Sequence, residues 1–494
     1  MEGAKTHSQA LSSGLLTFIL ILWALLLGPS AGWAGVKVPG LELLHVRPLE
    51  DVSFYARAGH FPDAFLAFSP DEKHLAVGTF LGRLLLLEVE SGRVLWEKRF
   101  PEAMVKRLAF SRDGEVLYAA EQSPDGYVYA LRKDTGAELW RFRLADDLRP
   151  GEPPEKGDVF GIYKQPGCYR LEVLPDGDLL VLGIHSWFDR KEGSWLRLSR
   201  VWRLRPSGEV RWAWPADGPA LLTLIYADAD ERGRFLGLVS TVPSDEMPRD
   251  YPLRPGTFYL LSAESGREIW RYEIPPLKPH FDRVFVWESV SLSPDGRLAL
   301  VGTSDGRAIF FDLEARRVAH VLSLGAPLNI GGIPVSAHVS YGLFAPDGAA
   351  YVVTGPSSIP YGMPLAVNRP AGPHPQANML FAIAPPRRIK WRFGMDFRFQ
   401  GLATDAHGSW LAVAAGASRR SLEKRHQFGV FVFDARESSL HAYYPTEGPC
   451  FFHLALSASG KHLAVVETPY LSEEEVLRGR YRLHVLRLAP EATR

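Results

Sequence analysis

One pattern of short apolar stretches and turns recurs along the whole chain. In its clearest copy, from Leu108 to Leu144, the turn Ser111–Gly114 separates two apolar stretches, and a Thr-Gly turn precedes a stretch that ends near Trp140. A fixed period of this kind is typical of repeat architectures, in which each repeat is one supersecondary unit. The stretches alternate or run apolar and are rich in β-branched and aromatic residues, so the pattern predicts an all-β chain.

The first turn of each unit can be aligned across all eight copies, which draw on Pro, Asp and Gly in different combinations. Pro presets φ at the first turn position, Asp bonds its own backbone, and Gly accepts positive φ. Successive turn glycines, from Gly114 to Gly460, lie 52 to 63 residues apart. This exceeds the roughly 40–45 residues of a minimal blade of the WD type, so the connections carry insertions. The copies lie at Ser69, Ser111, Pro175, Asp230, Ser293, Ala345, Asp405 and Ser457.

A second turn, Ser-Gly or Thr-Gly, precedes a strand that contains tryptophan. It occurs at Gly92, Gly136, Gly208 and Gly266, ahead of Trp96, Trp140, Trp212 and Trp270, with a degenerate copy ending at Trp391. Two turns and four strands per unit predict an eight-bladed β-propeller of four-stranded antiparallel blades. The predicted blades are approximately 62–100, 105–144, 168–216, 222–274, 286–324, 338–395, 398–446 and 450–490.

These repeats resemble the tryptophan-containing quinoprotein (PQQ-type) repeat and its WD-like relatives. The similarity is strongest over Tyr127–Trp140, and the pattern covers approximately residues 62–490. The resemblance implies the propeller fold and little about activity, because many unrelated functions occur on this fold.

The last unit lacks a fourth strand, because the chain ends at Arg494 soon after the third. An unassigned strand, residues 41–49, precedes the first unit. We therefore expect this N-terminal strand to complete the eighth blade and close the ring, which removes two open sheet edges.

Residues 1–34 have the layout of a secretory signal peptide. Lys5 lies in a short polar start, Leu15–Leu27 is apolar, and Gly32–Ala34 supplies small residues around a cleavage point. The alternative is an uncleaved segment, in which case the chain stays attached to a membrane. After cleavage, residues 35–494 form a single propeller domain. This layout predicts export to the periplasm, the extracellular space or the cell surface.

Composition narrows the function classes. The chain has 56 Lys and Arg against 56 Asp and Glu, which gives no electrostatic case for nucleic acid as a partner. The chain has only three Asn and six Gln, and this scarcity of thermolabile residues suggests a thermophilic source. Its two cysteines, Cys168 and Cys450, fall three predicted blades apart, and we expect two unpaired thiols.

Nearly all the insertions fall on one predicted face, formed by the second-to-third-strand loops and the links between blades, which we call the loop-rich face. Aromatic residues and Arg, the residue types enriched at binding hot spots, are frequent in these segments. We therefore predict a monomer that binds a protein or cell-envelope component through this face, with no catalytic residues. The predicted partner-binding residues are Trp187, Arg190, Trp195, Tyr251, Trp287, Tyr361, His374, Arg420 and Tyr470.

The alternative is a periplasmic enzyme with its site in the central channel. No compact catalytic motif or metal-ligand spacing is present, and no cofactor is predicted. The resemblance to quinoproteins would imply PQQ with calcium as the cofactor. However, the chain lacks the adjacent cysteine pair that many of those enzymes carry. The channel candidates are Tyr169, Arg170, His338 and His453.

A second enzyme family shares part of this repeat pattern. The segment from Tyr169 to Leu180 is similar to a segment of bacterial arylsulfotransferases, which implies sulfuryl transfer through a histidine. Tyr169 and Arg170 occupy the positions at the head of the segment where that family has its histidine, and the transfer needs an imidazole nucleophile.

Overall fold

A computed structural model describes residues 40–155, 157–226, 228–287, 289–359, 370–394, 398–416, 428–472 and 474–489. The predicted signal peptide lies outside these ranges. Short strands joined by tight turns form antiparallel meanders throughout them, and turns such as Ser111–Gly114 carry the Asp and Gly residues that favour chain reversal. No helix in the described ranges is long and apolar enough to span a bilayer.

The first three meanders follow a leading strand and a short helix. The leading elements are β1 (Leu41–Pro48) and α1 (Ser53–Arg57). The first meander is β2 (Ala64–Phe68), β3 (His74–Thr79), β4 (Arg83–Glu88) and β5 (Val94–Arg99). The second is β6 (Met104–Phe110), β7 (Val116–Gln122), β8 (Tyr127–Arg132) and β9 (Glu138–Arg143). After α2 (Ala145–Leu148) and a 3-10 turn (Gly161–Lys164), the third is β10 (Gly167–Val173), β11 (Leu179–Asp189), β12 (Ser194–Leu204) and β13 (Val210–Trp214).

The next three meanders repeat this order with fewer helical turns. The fourth is β14 (Leu222–Tyr226), β15 (Phe235–Pro243), β16 (Thr257–Ser262) and β17 (Glu268–Glu273). The fifth is β18 (Val290–Leu292), β19 (Leu298–Gly302), β20 (Arg307–Asp312) and β21 (Arg317–Ser323). The sixth carries an extra strand and is β22 (Leu328–Ile330), β23 (Ile333–Phe344), β24 (Ala350–Ser358), β25 (Met379–Ala384) and β26 (Arg388–Gly394).

The last sheets bring the N-terminal strand into the C-terminal part of the fold. The seventh meander is β27 (Arg398–Thr404), β28 (Trp410–Gly416), β29 (Gly429–Asp434) and β30 (Ser439–Pro445). It is followed by β31 (Cys450–Leu456), β32 (His462–Glu467), the small pair β33 (Tyr470–Leu471) and β34 (Leu477–Arg478), and β35 (Arg482–Leu488). The order of the final sheet is β1-β35-β32-β31, with β1 antiparallel to β35 from Leu41–Leu488 to Pro48–Arg482.

Apolar clusters lie between successive sheets. One cluster joins Leu84 and Leu86 of the first meander to Leu117 and Leu131 of the second. Similar clusters join the next meanders in turn, from the second to the seventh. Burying a Leu, Val or Phe side chain stabilises a fold by roughly 1.5–3 kcal/mol, so these interfaces hold the sheets together.

We call the first strand of each meander an axial strand, with β23 in place of the short leading strand β22 in the sixth meander. They are β2, β6, β10, β14, β18, β23, β27 and β31. β2 contacts β6 on one side and β31 on the other, while β6 contacts β10 and β27 contacts β31.

Candidate functional site

The most prominent insertion is an extension of the β11–β12 hairpin. The two strands pair without a break from Leu179–Leu204 to Asp189–Ser194. The sequence predicts a loop over 185–200, and this expectation was wrong, because the outer half of the segment continues the sheet. Only the tip, between Asp189 and Ser194, forms the turn.

Two aromatic side chains are exposed near the tip of this hairpin. Phe188 and Trp195 face each other across the strands, are 43% and 41% exposed, and have ring centroids 5.6 Å apart. The fourth meander supports them, since the Trp195 N–H donates to Asp245 Oδ2 at 2.7 Å. Exposed aromatic side chains on a supported strand are the residue type that anchors partner proteins.

A cavity of about 410 Å³ lies between this hairpin and the link that precedes β10. The predicted residues Trp187 and Arg190 both line it. His185 stacks on Trp187 with centroids 4.1 Å apart, its Nδ1–H donates to the Leu148 carbonyl at 2.8 Å, and burial lowers its pKa. Arg190 pairs with Glu155 at 3.0 Å across the opening.

The remaining predicted residues of the loop-rich face are scattered. Tyr251 lines a larger cavity of about 750 Å³ between the third and fourth meanders, and its hydroxyl accepts the Leu221 N–H at 3.1 Å. Trp287 is exposed on a different part of the molecule, where its ring lies 4.8 Å from that of His338.

Two of the predicted partner-binding residues are buried. His374 is 3% exposed, with its Nε2 3.0 Å from the Ala326 carbonyl and its Nδ1 accepting the Gln376 N–H. Tyr470 is 4% exposed and packs against Phe428. A partner on the surface does not reach either side chain, so their assignment to that surface is corrected. Tyr361 and Arg420 lie outside the described residues.

Register shifts in the axial strands displace the residues that lie at them. Lys106 and Tyr169 sit at the shifts in β6 and β10, and His338 and Ser340 sit at two shifts in β23. A bulge adds one residue to one strand and redirects its side chain, and bulges are frequent next to functional sites. Two of the four predicted channel residues, Tyr169 and His338, are therefore at bulges.

The displaced Lys106 lies in a box of aromatic rings. Its Nζ is 4.6 Å from the ring centroid of Tyr169, 5.1 Å from that of Tyr163 and 5.8 Å from that of Phe65. The neighbouring Arg107 lies over the same Phe65 ring at 4.7 Å, and its Nε–H donates to the Tyr169 carbonyl at 2.7 Å. The structure thus brings the predicted Tyr169 together with two cations from the adjacent strand.

The predicted Arg170 belongs to a different cluster. Its guanidinium pairs with Asp228 at 3.5 Å and lies 5.8 Å from the ring of Tyr226. Both carboxylate oxygens of Glu172 accept the Ala229 N–H at 3.1 Å, and burial, with the nearby Asp228, raises the Glu172 pKa well above its usual range.

His338 lies on β23, whereas the residues of these two clusters that come from axial strands lie on β6 and β10. Burial, assisted by the positive charge of Arg398, lowers its pKa to about 4. His453 lies on β31, but its side chain is outside the described residues. The three channel candidates whose side chains are described, Tyr169, Arg170 and His338, therefore belong to different surroundings.

The cysteines are unpaired and buried. Burial raises the pKa of both thiols, Cys168 and Cys450, to about 12. Within the described ranges, no group of three or more His, Cys, Asp or Glu side chains is arranged to hold a metal ion.

Sequence reasoning missed Lys106 and Phe188. A signal for Lys106 is present in the repeat, because Lys106, Tyr169 and Ser340 each lie eight residues before the first-turn glycine of their units, Gly114, Gly177 and Gly348. All three are displaced by a register shift. Phe188 was missed because its exposure depends on the extension of the hairpin.

These features define a β-propeller of four-stranded antiparallel sheets, and comparisons with known proteins agree. The family described as outer membrane protein assembly factor BamB matches residues 62–155, which supports the resemblance to PQQ-type repeats. No curated protein matches the chain.

Solved structures with the same fold come from different functional classes. Quinohemoprotein alcohol dehydrogenase from Comamonas testosteroni has a TM-score of 0.56 at 12% identity, over 92% of this chain and 77% of that one. A europium-containing methanol dehydrogenase has a TM-score of 0.55 at 11% identity, over 91% and 93%. The Dos1 propeller has 0.52 at 12% identity, over 91% and 96%. At these identities the likeness shows the fold, and the prediction of a PQQ-type or WD-like propeller is confirmed.

Proposed function

We propose that the chain is an exported, non-catalytic, eight-bladed propeller that binds a protein or cell-envelope partner through its loop-rich face. The observation that carries this proposal is the β11–β12 hairpin, which extends beyond its blade and exposes Phe188 and Trp195. A protein gains nothing in its own core from two exposed aromatic rings, whereas a partner gains buried apolar area from them.

The proposal of a closed ring rests on how β1 contacts the first meander. Residues of β3 and β4, such as Leu75 and Leu85, share an apolar cluster with Ala464 of β32 and Val485 of β35. His45 of β1 lies against Gly92, and its Nε2 is 2.9 Å from the Val89 carbonyl. These contacts support the proposal that β1 is the fourth strand of an eighth blade.

An envelope partner is supported by the family likeness. The family that matches residues 62–155 is described as an outer membrane protein assembly factor, and the predicted signal peptide would bring this chain to the same compartment. Both support a scaffold that works outside the cytoplasm.

A second candidate function is an enzyme in the central channel. One observation favours it, the gathering of Lys106, Arg107 and Tyr169 from two axial strands. Two of the similar solved structures are dehydrogenases, but the fold likeness does not transfer their activity.

Affinity capture from the native cell envelope tests the proposal. The purified chain should retain a partner at a fixed stoichiometry, and the double substitution Phe188→Ala with Trp195→Ala should lose most of it. Leu139→Ala on the outer strand β9, 46% exposed, is the matched control and should bind normally. Equal capture by the wild-type chain and the double variant, with both folded, would remove the hairpin from the interface. Recovery of the propeller without any companion would favour the enzyme.

A further inference from the structure

We propose that the outer half of β11, at residues 186–188, binds an extended segment of the partner as an added β-strand. This inference rests on the proposed function, because it names the kind of partner structure that the β11–β12 hairpin recognises. The recognised chemistry is a peptide main chain in extended conformation, with an apolar side chain placed opposite Phe188.

The first argument is the direction of the main-chain groups in the hairpin. Trp195 of β12 points its main chain away from β11, because its N–H donates to Asp245 Oδ2 and its carbonyl accepts the Asp245 N–H. In an antiparallel pair, residues that bond each other alternate with residues whose main chains point apart. Phe188 is opposite Trp195. The N–H and carbonyl groups of Phe188, and those of Ser186 two residues earlier, therefore point to the other edge of β11.

The second argument is that this edge of β11 has no neighbouring strand. β10 pairs with it only as far as Ile184, which is opposite Gly167. The preceding residue, Pro166, has no N–H, and its carbonyl accepts the Ser123 N–H of the second meander at 3.3 Å, so β10 begins there. In the part of the chain that the structure describes, no group bonds the outward-facing main chain of β11 beyond Ile184. An unpaired strand edge is a template for another strand.

Space for a main chain lies beside this edge. The cavity of about 410 Å³ separates the outer half of β11 from the link that precedes β10. Trp187 and Phe188 line it on the hairpin side, and Pro150, Pro153 and Pro154 line it on the side of the link. Prolines lack the N–H that a paired strand supplies, so the link is poorly suited to cover the edge itself.

The side chains beside the edge define what the added strand should carry. Side chains alternate between the two faces of a strand, so Phe188 lies on one face of β11 and Trp187 on the other. Residues opposite each other on neighbouring strands have Cβ atoms about 4.5–5.5 Å apart. An apolar residue opposite Phe188 would therefore cover the exposed rings of Phe188 and Trp195. In this mode of recognition, main-chain hydrogen bonds give affinity and alternate side chains give specificity.

Nonapeptides selected from a random phage-displayed library on the full chain are the probe. The chain carrying Phe188→Ala and Trp195→Ala is used to remove peptides that bind elsewhere. A selected peptide should slow hydrogen exchange of the Ser186 and Phe188 amides about tenfold or more, because each gains a hydrogen-bond acceptor. The Trp187 amide, which faces β12, should exchange as before.

A proline substitution tests the pairing from the side of this chain. Ser186→Pro removes an N–H that points away from β12, so it should leave the hairpin intact. It should weaken binding of the selected peptide about 10- to 100-fold, because a main-chain hydrogen bond is lost and a partner carbonyl is left unpaired. Ser186→Ala keeps the N–H and is the matched control, which should bind as the wild-type chain does. Calorimetry measures the three affinities, and thermal melting checks that the variants are folded.

N-methylated copies of the peptide decide the question if Ser186→Pro does not fold. Methyl groups on the alternate peptide nitrogens that face β11 should abolish binding to the wild-type chain, whereas methyl groups on the other alternate nitrogens should not. The proposal is overturned if no peptide is selected, or if both methylated copies bind equally. It is also overturned if folded Ser186→Pro binds with unchanged affinity.

A second copy of this chain is the competing occupant of the edge. If protection of the Ser186 amide rose with protein concentration in the absence of peptide, the edge would pair between copies, and the proposal would be overturned.

Capture from the native cell envelope separates this inference from the proposed function. Loss of the partner by the chain with Phe188→Ala and Trp195→Ala, but not by Ser186→Pro, would overturn strand addition alone. Retention of the partner by both variants would overturn the proposed function as well.

Discussion

At the scale of single residues, the second-turn glycines serve two purposes. The sequence predicts them as turn residues, and their positive φ agrees. The structure adds that three of the four, Gly136, Gly208 and Gly266, leave no room for a Cβ, because the tryptophan of the preceding meander lies beneath each of them. A Cβ would meet the ring of Trp96 at 2.9 Å from Gly136, that of Trp140 at 2.8 Å from Gly208 and that of Trp212 at 2.7 Å from Gly266.

The same tryptophans donate hydrogen bonds to the meander that covers them. Trp140 Nε1–H donates to the Pro206 carbonyl at 2.7 Å, and Trp212 Nε1–H to the Ala263 carbonyl at 3.1 Å. The turn and the interface are therefore one feature, which explains why glycine and tryptophan recur together in the repeat.

Gly208→Ala should destabilise the chain by more than the strain that alanine suffers at a positive φ. Gly348 has a similar φ, +83° against +90°, but a Cβ there meets nothing within 4 Å. Gly348→Ala should lower the free energy of unfolding by about 1–2 kcal/mol, and Gly208→Ala by roughly a further 1–3 kcal/mol from the contact with Trp140. Urea unfolding measures both, and equal losses would show that the turn yields without disturbing the interface.

At the scale of elements, the tight turns and the strands beside them could be predicted because their signals are local. The hairpin extension could not, because Ser186–Arg197 mixes charged, polar and aromatic residues as an exposed loop does. What keeps it extended is Asp245, which lies in another meander. His374 was misassigned for the same reason, since its partner Ala326 lies in a distant connection. The bulges of the axial strands are hard to recognise in the sequence, because each shifts the alternating pattern by only one residue.

Asp245→Ala should loosen the outer half of the β11–β12 hairpin and leave the inner half intact. Asp245 accepts the Trp195 N–H, and its own N–H donates to the Trp195 carbonyl at 2.8 Å. Losing the side-chain bond should cost about 1–3 kcal/mol locally. Hydrogen exchange should accelerate at Trp195 but not at Leu180–Leu182, and Asp250→Ala, on the same loop, should change neither. Unchanged exchange at Trp195 would show that β11 is sufficient to hold it.

At the scale of the whole molecule, β1 joins the N-terminal and C-terminal parts of the described chain in one sheet. It pairs with β35, and Arg487 bridges Glu42 at 2.7 Å, so residues at opposite ends of the sequence share one sheet. His45 lies against Gly92 as Trp140 lies against Gly208, with a Cβ from either glycine meeting the ring at 2.7–2.8 Å. The strand thus contacts both the last sheet and the first meander. We therefore expect it to contribute more to the stability of the fold than its length suggests.

Deleting residues 1–49 should therefore lower the melting temperature by about 5 °C or more, whereas deleting residues 1–35 should leave it unchanged. The longer deletion removes the pairing from Leu41–Leu488 to Pro48–Arg482 and uncovers β35 as an edge strand. Unpaired strand edges recruit other chains, so this variant should also self-associate in light scattering during size-exclusion chromatography. If both deletions melted together as monomers, the ring would be held by its sheet interfaces without β1, and the proposed closure would be wrong.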